Sequence, residues 1–312
     1  MDSALTLIGL PIALGIIMLG LGLGLTIADF RRVASYPKAA VIALVCQVLV
    51  LPALCFGLVL AFDLAPELAV GMMLLAASPG GTTANLYSHL FGGHVALNVT
   101  LTAINSVLAV VTLPVLVNLS ARYFLADGTD IGLQFDKVLQ VFAIVLVPVA
   151  IGMLIRARVP HLAERLDRPV RILSVVVLVA VITGAVLGER ENIADYFVAV
   201  GLAVLAFNIL SLAIGYGVPR LAGVDRPAAT AAGFEIGIHN STLAITIALS
   251  PALLDSTEMA IPGAVYGIVM FFTAAAFGYL VTRTGTRPAA EPGGPAVEPG
   301  GSATTSGGAA VT

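Results

Sequence analysis

Long apolar runs alternate with short polar connections along most of the chain. Each run reaches the ~20 residues that a helix needs to cross a hydrocarbon core of about 30 Å. The runs lie near residues 5–27, 38–61, 66–90, 94–120, 137–156, 169–188, 193–217, 228–250 and 260–282, and predict nine transmembrane helices in an all-α polytopic membrane protein. They are continuous rather than alternating, which excludes a transmembrane β-barrel. The first run is preceded by Asp2 and no basic residue and is longer than a signal-peptide core, so it reads as a retained helix. From Thr284 the chain turns to Pro, Gly, Ala, Thr and Glu, and residues 284–312 are expected to form a disordered cytoplasmic tail behind a membrane domain of residues 1–283.

Composition agrees with the pattern, since 59% of residues are hydrophobic and 11% charged. The formal net charge of -3 carries little information, and nothing suggests a nucleic acid or an obligate protein partner. Cys46 and Cys55 share one apolar run and read as inert buried thiols. The basic residues are more telling, because cytoplasmic connections are enriched in Lys and Arg. Arg31, Arg32, Lys38, Arg156, Arg158, Arg165, Arg168, Arg171, Arg220, Arg226, Arg283 and Arg287 fall on one side of the nine-helix scheme, and only Arg122, Lys137 and Arg190 on the other. The lipid bilayer is thus the surrounding partner, with the N-terminus outside, the C-terminus inside, and a plasma (inner) membrane location expected.

The third and eighth runs are interrupted. In the third, S-P-G-G-T-T-A-N from Ser78 to Asn85 puts Pro79, Gly80 and Gly81 beside polar side chains at mid-run. Proline removes a backbone donor and glycine lowers helix propensity, so unwinding is expected there. In the eighth, Glu235, His239, Asn240, Ser241 and Thr242 cluster beside Gly233 and Gly237. Gly and Pro are common in membrane helices and account for one such break. Two breaks in opposite orientation, one holding a buried carboxylate, instead predict an inverted repeat, about 5–120 and 137–283, with two broken helices crossing at the midplane site of a secondary transporter.

Asn98, Thr102 and Asn105 recur at i, i+4 and i+7 and share one helix face. Asn98 and Thr102 are read as oxygen donors converging with Glu235, and Asn105 as an interhelical hydrogen-bonding residue. Gln47 is open between ligand and interhelical glue. His239 shares a face with Glu235 if the helix persists, and is open between a titrating partner of that carboxylate and a neutral core histidine with one hydrogen bond. His89 and His94 read as solvated loop residues. Thr82, Thr83, Asn240 and Ser241 offer donors to an anionic substrate, aided by half-helix N-termini.

Three blocks carry a family resemblance. They are L-G-I-I-M-L-G-L-G-L-G-L-T with D-F-R-R (Leu14 to Arg32) followed by Gln47 and Pro52, then P-G-G-T-T-A-N with G-G-H-V-A-L-N-V-T-L-T-A-I-N-S (Pro79 to Ser106), and E-I-G-I-H-N-S-T-L-A (Glu235 to Ala244). Together they span the membrane portion, and they resemble the bile acid:sodium symporter family, in its nine-helix form. The resemblance implies a core bundle that moves against a panel of the first, fifth and sixth spans. It also implies two sodium sites (Na+ as coupling ion). Site one would use Glu235, Asn85, Asn98, Thr102 and position 84, where the family has a hydroxyl and this chain has Ala84. Site two would use Glu235, Gln47, the carbonyls of Ile236 and Ile238, and position 239, where His239 replaces a glutamine.

The implied function is sodium-coupled symport of an organic anion, bile-acid-like or a small carboxylate, by alternating access. The alternative is a proton-coupled or sodium-independent carrier using Glu235 and His239. A metalloid efflux carrier would place a cysteine beside the first break, where this chain has Ser78. An enzyme would need a nucleophile, metal-ligand set or nucleotide loop that the motifs do not supply.

Overall fold

The computed structural model describes residues 15–125 except 17 and 21, residues 135–173 except 167 and 171, residue 176, and residues 193–283 except 252. The expected tail at 284–312, the first part of the run at 5–27 and most of the run at 169–188 lie outside the described residues. Among the described residues all regular structure is helical, and four helices are long and apolar enough to cross a membrane: Pro37–Ala61, Val95–Phe124, Val200–Leu221 and Glu258–Arg283.

Helix α1 (Pro37–Ala61) starts with Pro37 in its first turn and contains a π turn at Cys46–Val50. The Leu51 N–H bonds back to the Cys46 carbonyl, and Pro52 follows with no N–H to offer. Such a wide turn re-aims side chains; here it carries Gln47, which is buried.

The expected third run is two helices, α2 (Pro66–Ala77) and α3 (Thr82–Leu90), separated by Ser78–Gly81. Unwinding is confined to the residues around Pro79; Thr82, Thr83, Ala84 and Asn85, expected to lie in the break, form the first turn of α3. Every residue of α2 from Leu68 to Ala77 is buried, so this half-helix is enclosed by protein on all sides. The long α4 (Val95–Phe124) and α5 (Phe135–Arg158) follow.

After α6 (Ile193–Leu221), α7 (Arg226–Gly237) begins at an Asp225 cap, whose carboxylate accepts the Ala228 N–H at 2.9 Å. It ends at Gly237, and α8 (Ser241–Leu249) restarts with Asn240 as its cap, accepting the Leu243 N–H at 3.0 Å. A 3-10 turn at Glu258–Ala260 leads into α9 (Ile261–Arg283).

The two interruptions meet. The Gly81 N–H donates to the Ile238 carbonyl and the Asn240 N–H to the Pro79 carbonyl, each at 2.8 Å, forming an isolated antiparallel bridge between Gly80 and His239. This solves a problem set by the apolar surroundings, because backbone groups released from a helix at depth need partners from protein. A second tie joins the α3–α4 turn to the start of α7, where the His94 N–H donates to the Pro227 carbonyl at 2.9 Å. Elsewhere, the helical segment around Gly22 crosses α5 at backbone contact: a β-carbon at Gly22 would meet the Val149 backbone, and one at Gly152 the Leu19 and Gly22 backbone.

Candidate functional site

Glu235 lies in the last turn of α7 with 0% of its surface exposed. Burying an unpaired carboxylate is costly, so its partners define the site. Thr102 donates its hydroxyl to Oε2 at 2.5 Å, and Asn105 donates Nδ2 to Oε1 at 3.1 Å. The Gly80 backbone amide completes this set of neutral donors, with the glycine against the carboxylate. Among the described residues the ion pair is Arg156 with Glu164, remote from Glu235 in the chain. The carboxylate is therefore held by hydrogen bonds from α4 and the first interruption, with no basic side chain among the described residues paired to it.

Asn98, one turn before Thr102, is fully buried and points both amide hydrogens into the structure: Nδ2 donates to the Ala231 carbonyl at 2.8 Å and to the Ser88 hydroxyl at 3.0 Å. Its Oδ1 is buried without a donor, and so are Asn85 Oδ1, Asn105 Oδ1 and Gln47 Oε1. An unsatisfied buried acceptor costs about 1–3 kcal/mol, so four in one protein need an explanation. Amide oxygens without donors suit a hard cation, which prefers oxygen ligands. No group of three or more His, Cys, Asp or Glu gathers among the described residues, so the donor set is one of amides, a hydroxyl and a single carboxylate.

On the other side of the interruption Gln47 donates Nε2 to the Ser78 carbonyl at 3.1 Å, leaving its Oε1 free of donors. Ile236 and Ile238 are fully buried; the Ile238 carbonyl already accepts from Gly81. Ala84 is fully buried too and brings no side-chain oxygen.

His239 does not share a helix face with Glu235, because α7 ends at Gly237 and the chain extends through Ile238. Its ring sits against Phe207 and Tyr266, at centroid distances of 5.4 and 5.3 Å. Nδ1 lies 2.8 Å from the Tyr266 hydroxyl, whose proton goes to the Gly237 carbonyl at 2.8 Å. A phenol has one proton to donate, so Nδ1 carries the hydrogen of the ring and Nε2, buried without a partner, is a bare acceptor. Asn208 adds a second donor to the Gly237 carbonyl at 2.8 Å, and its own Oδ1 accepts from Thr273.

Of the expected substrate donors, Thr83 is half-buried, Asn240 caps α8, and Ser241 is buried with a hydroxyl that has no partner. Thr82 opens α3, but its side chain lies outside the described ones. Asn105 makes the interhelical hydrogen bond expected of it, and its partner is Glu235 itself. Two contacts escaped the sequence reading: Tyr266 and Asn208 stand alone in apolar runs and carry no spacing signal.

Comparison with known proteins shows the family. Residues 11–196 match the Sodium Bile acid symporter family. The chain is 30% identical over 259 residues to an uncharacterized sodium-dependent transporter of Bacillus subtilis, covering 83% of this chain and 78% of that one. It is 31% identical over 245 residues to a probable chloroplastic sodium/metabolite cotransporter of Arabidopsis thaliana, covering 78% of this chain and 58% of the relative. Identity to the human ileal sodium/bile acid cotransporter is 26% over 240 residues, 76% of this chain and 68% of that protein. With its membrane-length helices and this extent of similarity, the chain is an integral membrane transporter, not an enzyme, and belongs to the Sodium Bile acid symporter family.

Proposed function

We propose that this protein is a sodium-coupled secondary transporter that carries a small organic anion by alternating access. The observation that carries the reading is Glu235, a fully buried carboxylate without a basic partner among the described residues, in a protein where the buried amide oxygens of Gln47, Asn85, Asn98 and Asn105 lack donors. Sodium at this carboxylate balances its charge and gives those oxygens a positive partner. Site one takes Glu235, Asn85, Asn98 and Thr102, with the backbone near Ala84. Site two takes Glu235, Gln47 and the carbonyls of Ile236 and Ile238, beside His239; an imidazole nitrogen is a poorer sodium ligand than an amide oxygen.

The paired interruptions support an inverted repeat, about residues 5–120 and 137–283, within nine spans, and the basic residues support an outside N-terminus and a cytoplasmic C-terminus in the plasma (inner) membrane. The anion then meets Thr82, Thr83, Asn240 and Ser241 and the N-termini of α3 and α8. The panel of the first, fifth and sixth spans is the part against which the core moves, in keeping with the backbone contact between the segment around Gly22 and α5. Coupling through a Glu235–His239 pair has less support, because Nδ1 of His239 faces Tyr266 and Nε2 has no hydrogen-bond partner.

Uptake of a panel of organic anions into proteoliposomes, under separate sodium and proton gradients, tests the reading. Sodium-driven uptake that Glu235→Gln abolishes is expected. Uptake driven by pH and indifferent to sodium, or retained by the variant, overturns it.

A further inference from the structure

Ala84 brings no oxygen where the family resemblance implies a hydroxyl, while Asn105 brings one that the two implied sites do not use. Asn105 is 2% exposed and lies on α4 one turn beyond Thr102, on the face that holds Glu235. Its Nδ2 is 3.1 Å from Glu235 Oε1, and its Oδ1, bonded to the same carbon, is buried with no donor. The side chain that bonds the carboxylate thus also carries an unpaired buried oxygen. An acceptor buried without a donor is unfavourable, and a hard cation is a partner that satisfies it.

We propose that Asn105 is a ligand of the cation at Glu235, its Oδ1 supplying the side-chain oxygen that Ala84 cannot. This rests on the reading of Glu235 as the cation carboxylate. The two ends of the amide have separate tasks: Nδ2 orients Oε1, and Oδ1 joins Asn98 Oδ1 in the oxygen set. Asn98, Thr102 and Asn105 then act as one strip of α4, with Glu235 facing it from α7.

The test is sodium binding by the purified full-length protein in detergent, measured with radioactive sodium at equilibrium and by sodium-dependent thermal stabilisation, with potassium at matched ionic strength as control. Asn105→Leu removes both ends of the amide; Asn105→Asp keeps an oxygen and removes the N–H donor. Sodium affinity is expected to fall about tenfold or more in the leucine variant, the scale of losing a ligand or its support. The aspartate variant is expected to keep sodium binding and to gain a larger sodium-dependent stabilisation, because two adjacent carboxylates need the ion more. If aspartate fails as badly as leucine, Asn105 acts through its N–H as a positioning residue and the proposal falls. Unchanged affinity in the leucine variant also overturns it. Should the leucine variant not fold, the aspartate variant decides alone, by whether its stabilisation rises or disappears. A parent protein that binds no sodium overturns the reading of Glu235 itself, and the Asn105 assignment with it.

Discussion

Gly80 and Glu235 touch across the two helix interruptions, so closely that a β-carbon on the glycine would overlap the carboxylate. Gly81, the next residue, has its nearest such contact at 3.5 Å, an ordinary packing distance. Gly80→Ala is therefore expected to displace the carboxylate and abolish sodium-dependent stabilisation and uptake. Gly81→Ala is expected to leave both nearly intact. Thermal shift with and without sodium, run on the two variants side by side, checks the contrast.

Thr102→Val keeps the shape of the side chain and removes the hydroxyl that donates to Glu235. A hydrogen bond to a charged group contributes about 1.5–3 kcal/mol, so a drop of roughly tenfold or more in sodium affinity is expected. Thr100→Val is the control, since the Thr100 hydroxyl bonds within its own helix, to the Ala96 carbonyl. Sodium titrations of uptake distinguish the two.

Tyr266→Phe removes the hydroxyl that links His239 to the Gly237 carbonyl. It leaves the His239 N–H without an acceptor, at a cost of about 1–3 kcal/mol. Pairing it with His239→Leu should cost less than the sum of the single changes, because both remove the same contact. A double-mutant cycle on unfolding measures that coupling; strict additivity would show that the His239–Tyr266 contact contributes nothing to stability.

Gly152→Val is expected to wedge α5 away from the segment around Gly22, lowering both thermal stability and uptake. Gly24 has open space where a β-carbon would go. Gly24→Val should change neither quantity.

Burial of Glu235 and the interruptions at Pro79 and after Gly237 follow from residue type, since a carboxylate, a proline and paired glycines conflict with a helix in apolar surroundings. The extent of unwinding does not follow in the same way. Thr82 to Asn85 look like part of a break when read as polar residues, yet they are helical, because Pro79 and the two glycines precede them. His239 looks like a face-mate of Glu235 only while α7 continues, and α7 stops two residues earlier. Asn105 belongs to the same stripe as Asn98 and Thr102, so its role was within reach of the spacing. Tyr266 and Asn208 were not, because their partner is a carbonyl set free by the end of a different helix.

The reciprocal hydrogen bonds of Gly81 with Ile238 and of Asn240 with Pro79 also impose an order on biogenesis. When the first interruption enters the membrane, the residues that will satisfy it have not been synthesised. Until those residues are made, the Pro79 carbonyl and the Gly81 amide lack the partners that they have in the folded chain. The first interruption is satisfied only once α7 and α8 are in place, so its backbone is completed by a segment much further along the chain.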